Sequence, residues 1–120
     1  MFAEFVLNTF NCVTNAHLLH LQSRSYSEHI ALGDFYEGLE DLVDGLVEAY
    51  QGKYGLILDY PSVTHEVPKM SALAYLEATS NYLTEERTKE YYPQDSELQN
   101  ITDEIQALID STIYKLRYLK

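Results

Sequence analysis

The chain has no tryptophan and a single cysteine, Cys12. One thiol cannot form an internal disulfide, so no covalent staple supports the fold, and a reducing, cytoplasmic setting is expected. Cations are scarce: eight Lys and Arg stand against nineteen Asp and Glu, for a net charge of −11. Phosphate-backbone binding depends on clustered Lys and Arg, so nucleic acid is excluded as an expected partner. No apolar run approaches the roughly 20 residues of a membrane span, so no membrane association is expected either. The opening MFAEFVLNTF lacks both the basic start and the small-residue cleavage site of a signal peptide. No glycine-rich phosphate loop and no zinc-type Cys/His spacing occurs. Of the three prolines, Pro61 and Pro68 fall with Gly52 and Gly55 in residues 51–69, the least regular part of the chain.

What is present is a helical pattern. The chain has 120 residues, 46% of them apolar, which suits one globular domain, 1–120, with no room for a second core. Phe2 to Gln22 reads as a first helix, with Val6, Phe10, Val13, His17 and His20 on one inward face. The polar run Ser23–Ser27 breaks it and supplies Ser25 or Ser27 as an N-cap. A second helix, from about Glu28 to Tyr50, carries an apolar stripe of His29, Leu32, Tyr36, Leu39, Val43, Leu46 and Tyr50. Beside it runs an acidic stripe of Asp34, Glu37, Asp41, Asp44 and Glu48, whose like charges repel by a few tenths of a kcal/mol per pair. Gly52 and Gly55 end that helix. Pro68 opens a third helix over about Lys69–Tyr91, and Pro93 ends it. Ser96-Glu97-Leu98-Gln99 has the form of a capping box opening a fourth, whose buried face is Leu98, Ile101, Ile105, Leu108, Ile109, Ile113 and Leu116. Two short links and one long one describe an all-α four-helix bundle with a crossover between helices two and three.

The residues that carry chemistry lie in Ala16–Tyr50. His17 is six residues before Ser23 and His29 six after it, so folding at that turn is expected to bring the two imidazoles together, with Asp34 about one turn further on. Neutral imidazoles beside a carboxylate suit a transition metal. Asp44 and Glu48, at i and i+4, can hold a cation between them. Asp44 lies fifteen residues beyond His29, roughly 22 Å along a helix at 1.5 Å per residue, and Glu48 one turn further. The two halves cannot meet in one chain. They can meet if a second copy packs antiparallel across a two-fold axis, forming two identical sites.

In these spacings the stretch resembles the Dps mini-ferritins of the ferritin-like superfamily. In that family one subunit supplies a histidine late in the first helix, a second twelve residues on, and an aspartate four beyond it. The two-fold partner supplies an aspartate and a glutamate. His17, His29, Asp44 and Glu48 stand at those spacings over about residues 10–52. The remaining aspartate position is Gly33, with Asp34 as its substitute, and the tryptophan usual after the first histidine is Leu18. The resemblance implies a ferritin-like bundle, iron or another divalent metal as the bound group, oxidation of Fe(II) in the manner of a ferroxidase, and a homo-oligomer of at least a two-fold dimer, up to a shell. His20 is a further candidate ligand. The DNA-binding role does not carry over, because there is no basic tail. A di-iron site inside one bundle is not expected, because neither helix three nor helix four has a Glu-x-x-His motif. The second reading is a non-catalytic structural or interaction bundle that keeps the packing without the metal.

Overall fold

A computed structural model describes all 120 residues as four helices: α1 Phe2–Gln22, α2 Tyr26–Tyr54, α3 Ala72–Glu86 and α4 Ser96–Tyr118. Each has a polar outer face and an apolar inner one. The inner faces meet in one cluster of 19 buried residues, including Val6, Leu32, Phe35, Leu39, Leu76, Leu98 and Ile105. Burying a side chain of this size stabilises by about 1.5–3 kcal/mol, which offsets the ordering of the chain. No helix is long and apolar enough to cross a membrane.

The helices form a ring in which α1 and α4 each pack on both α2 and α3, while α1 and α4, and α2 and α3, stand diagonally and do not pack on each other. Two sets of contacts fix the directions. Lys53 and Tyr54, at the end of α2, reach Asp95 just before α4. Ser27 near the start of α2, Ser71 before α3 and Leu116 near the end of α4 line one depression. Thus α2 and α3 run parallel across the diagonal. Residues 55–71, which join them, must travel the length of the bundle, as a crossover does. That segment is extended and contains no strand. It passes over α1, where the His65 Nε2–H donates to Asn15 Oδ1 at 2.7 Å. Near its start the Ile57 N–H donates to Gln51 Oε1 at 3.0 Å.

Several boundaries differ from the sequence pattern. Helix α2 is longer at both ends, starting behind the N-cap Ser25, whose hydroxyl accepts from the Glu28 N–H at 3.3 Å. Gly52 lies inside α2. The stop is Gly55, whose φ of +94° is a left-handed value that glycine adopts without a Cβ clash. Helix α3 is shorter. Ser71, not Pro68, caps it by accepting from the Ala74 N–H at 3.1 Å, and it ends at Glu86, before the Pro93 stop. The capping box at Ser96 does not form. The N-cap position is Asp95, and its carboxylate makes no cap bond. It is held instead by Lys53 Nζ at 2.7 Å and the Tyr54 hydroxyl at 2.6 Å. On α1 the buried face is Phe2, Phe5, Val6, Thr9, Ala16 and Leu19, one strip round from the expected stripe, so Phe10 and His17 are exposed.

Candidate functional site

The end of α1 and the start of α2 place three imidazoles and a phenol side by side. His20 and His29 stack with ring centroids 3.6 Å apart and planes 17° apart. His20 Nδ1–H donates to the His29 carbonyl at 2.5 Å, and His29 Nδ1–H donates to the His20 carbonyl at 2.9 Å. A carbonyl oxygen can only accept, so both rings carry their proton on Nδ1 when neutral. The two bonds are reciprocal and close a clasp across the turn. His17 lies outside it, stacked on Tyr36 at 4.2 Å and 6.0 Å from the His20 ring.

The expected His17–His29 pairing is therefore replaced by His20–His29, and the reason is the direction of helical side chains. The turn between Gln22 and Tyr26 centres on position 24. In both helices a side chain leans toward its own N-terminus. A side chain on α1 thus leans away from the turn, and one on α2 leans toward it. Each α1 residue meets an α2 residue at least as far from the turn as itself. His20 meets His29, and His17 meets the more distant Tyr36. Equal counting from Ser23 ignores this lean.

Gly33 also acquires a different meaning. A Cβ built at this position would lie 3.1 Å from Cε1 and 3.3 Å from Nδ1 of His20. The missing side chain is the space the His20 ring occupies. Asp34 stands apart from this space. It is exposed, and it lines a shallow depression with Tyr26, Ile30, Ala31 and Lys115 on the α4 side of α2. No group of three or more His, Cys, Asp or Glu side chains converges on a point within one chain. The acidic stripe of Asp34, Glu37, Asp41, Asp44 and Glu48 is exposed throughout. The chain's ion pairs are made elsewhere, by Lys53, Arg87 and Arg117. Asp44 and Glu48 lie down α2, away from the clasp.

Cys12 is no nucleophile. Burial pushes its thiol up from the ordinary 9.0, and the neighbouring Tyr75 and Thr79 hydroxyls act more weakly the other way. Its neighbours form a polar relay instead: the Asn15 Nδ2–H donates to the Tyr75 hydroxyl at 3.1 Å while Asn15 Oδ1 accepts from His65. Asn15 therefore ties α1 to α3 and to the crossover together. No local pattern around His65 points to this partner, because the contact spans 50 positions.

A family model of unknown function, DUF5856, matches residues 20–116, most of the chain. The chain belongs to that family. No curated protein and no solved structure matches it. The matched region opens at His20, so it includes the whole clasp, Gly33 and the acidic stripe, and leaves His17 outside.

Proposed function

We propose that the α1–α2 hairpin is half of a transition-metal site, with iron the leading candidate, completed by a second copy of the chain. The observation that carries this reading is the state of His29. With Nδ1–H committed to the His20 carbonyl, its ring is held in place and Nε2 keeps a free lone pair. This is the outer-shell arrangement that orients ligating imidazoles. His17 is exposed, with its ring 6.0 Å from that of His20, and His20 acts as the residue that positions His29. Asp44 and Glu48 of a two-fold-related copy would supply the carboxylates. The donor set of imidazole and carboxylate suits iron and related divalent metals. The diagonal parallel helices and long crossover are in keeping with a ferritin-like, Dps-like assembly, in which Fe(II) is taken up as cargo and oxidised by peroxide or dioxygen from solution.

The experiment is metal analysis and solution mass on the purified protein loaded with Fe(II) under argon. The expected result is a dimer or larger species that loses metal equally on His29→Ala and on Asp44→Ala. A monomer that takes up no Fe(II) would sink the proposal, as would Asp44→Ala binding like the wild type.

One observation favours the second reading, a bundle without metal chemistry. Two imidazoles that share an ion converge on it through their nitrogens, whereas His20 and His29 lie face to face, only 17° from parallel. As a clasp alone, the pair needs no ion. On that reading His29→Ala lowers stability in metal-free buffer by the same amount as in Fe(II).

A further inference from the structure

The end of the bundle remote from the histidines carries a second concavity that the hairpin site does not use. It is a cavity of about 270 Å³ lined by Tyr50, Tyr54, Glu90, Tyr91, Tyr92, Pro93 and Gln94. Four of its seven lining residues are tyrosines, and each ring is held. Tyr50 stacks on Phe2 at 4.2 Å and lies 5.0 Å from Tyr54, tilted by 41°. Tyr92 is buried, edge-on to Phe2 and Phe5. The Tyr54 hydroxyl donates to Asp95 and the Tyr91 hydroxyl to Glu86, at 2.6 and 2.7 Å. The outer two rings remain open to solvent, Tyr54 at 54% and Tyr91 at 40%.

We propose that this cavity is an aromatic cage for an organic ammonium cation. Aromatic faces carry the negative end of the ring quadrupole and attract cations within about 6 Å of the centroid. Phenol hydroxyls that donate to carboxylates push further electron density into their rings. Glu90, which makes no ion pair, adds a full negative charge to the lining. Two of the neighbouring cations are engaged, since Lys53 lies 2.7 Å from Asp95 and 3.5 Å from Glu97, and Arg87 lies 2.6 Å from Asp103, while Lys89, next to Glu90 in the chain, is exposed and makes no ion pair. The Glu86 carboxylate that accepts its proton pushes Tyr91 up to about 12, so the ring stays a neutral phenol at physiological pH. A cavity somewhat below the usual 300–1,000 Å³ of ligand pockets suits a headgroup or the tip of a side chain more than a large molecule. A trimethylammonium group matches, because it is weakly hydrated and presents methyl groups to the rings. A strongly hydrated inorganic cation does not.

The test uses the full-length, isotope-labelled protein and follows backbone amide shifts at constant ionic strength. Choline is titrated against its neutral carbon isostere, 3,3-dimethylbutan-1-ol. Saturable shifts at Tyr50, Tyr54, Glu90 and Gln94 are expected with choline, and binding of the isostere should be several-fold weaker. Tyr54→Leu should weaken choline roughly 3- to 30-fold, whereas Tyr54→Phe, which keeps the ring, should stay within about twofold. Because Tyr54 also helps to hold Asp95, Glu90→Gln is the control that removes charge from an exposed residue with no partner, and it should weaken choline about twofold. A peptide bearing one trimethyllysine identifies the source. Tighter binding than choline points to a protein partner, and equal binding points to a small amine. The proposal is overturned if the isostere binds as well as choline, if neither probe shifts those amides, or if Tyr54→Leu binds choline like the wild type.

Discussion

The two ends of the α1–α2 hairpin are both built from stacked rings, yet they hold the helices together by different physics. At the open end Phe2, Phe5, Tyr50 and Tyr92 pack at centroid distances of 4.2–5.8 Å. The buried Tyr92 hydroxyl there bonds to Thr102 Oγ1 at 2.7 Å. Thr102 sends its own proton to the Leu98 carbonyl, so Tyr92 is the donor. This end is stabilised by area removed from water, which tolerates small displacements. At the closed end the rings are imidazoles, half-buried, and their two hydrogen bonds cross in opposite directions. Those bonds are satisfied at only one offset of α1 against α2. The aromatic end thus contributes most of the energy, and the histidine end contributes register.

The largest effect that would break the comparison is at the aromatic end. Phe5→Ala should cost about 3–5 kcal/mol in urea unfolding, by lost transfer energy and the cavity left behind. A loss below about 1 kcal/mol would mean that this end is not the main source of stability. The clasp comes next. His20→Ala and His29→Ala should each cost about 1–2 kcal/mol. The double variant should cost clearly less than their sum, because each single change removes both the stack and one of the paired bonds. Strict additivity would argue against a clasp.

A smaller but more specific effect concerns position 33. Glycine in a helix is about 1 kcal/mol worse than alanine, so Gly33→Ala should stabilise unless its neighbour resists. The neighbour is His20, 3.1 Å from the added Cβ and fixed by a bond and a stack. Gly33→Ala should therefore destabilise the wild type and stabilise the His20→Ala variant, a reversal of sign readable in thermal melts. Gly45→Ala, which meets nothing within 4 Å, is the control and should stabilise by about 0.5–1 kcal/mol in both backgrounds.

The last test separates the ends by pH. Burial pushes Tyr82 and Tyr92 up to about 12 from an ordinary 10.0. Their folded values are raised, so the stability they contribute is present below pH 10 and is lost as pH rises from 10 through 12. Tyrosinate absorbance should show a late-titrating class that includes Tyr82 and Tyr92. The buried ones should ionise together with loss of helical circular dichroism. If all the phenols titrate as one class while the helices persist, the aromatic end is not the dry core described here.

The helical layout was legible because it depends on periodicity. Leu32, Leu39, Val43 and Leu46 on α2, and Leu98, Ile105, Ile109 and Leu116 on α4, are buried where three- and four-residue steps place them. The ends of α3 were not legible. Pro68 can start a helix, but Ser71 supplies the capping oxygen, and a choice between two plausible starts is settled by packing. The buried face of α1 departs from its apolar pattern because Thr9 and Asn15, which are polar, are buried, while Phe10 and His17 are exposed. In the site, the histidines were visible as a group but not their pairing, which depends on side-chain lean. The role of Gly33 was hidden, because a glycine is read as a missing ligand before it is read as room for a neighbour.

The crossover has a consequence for how this chain assembles. Contacts within α1–α2 and within α3–α4 are local in sequence, so each hairpin can form quickly by itself. The diagonal arrangement then requires the hairpins to dock side by side, and residues 55–71 are their only covalent connection. That segment works as a tether, setting the effective concentration at which one half meets the other. Loop-closure cost grows only slowly with length, by about 0.6 kcal/mol per doubling, so extra residues inserted there would be tolerated. A second chain's hairpin could in turn compete for the same docking face. Whether the bundle closes on itself or exchanges halves with a neighbour is then set by the reach of the tether and the protein concentration.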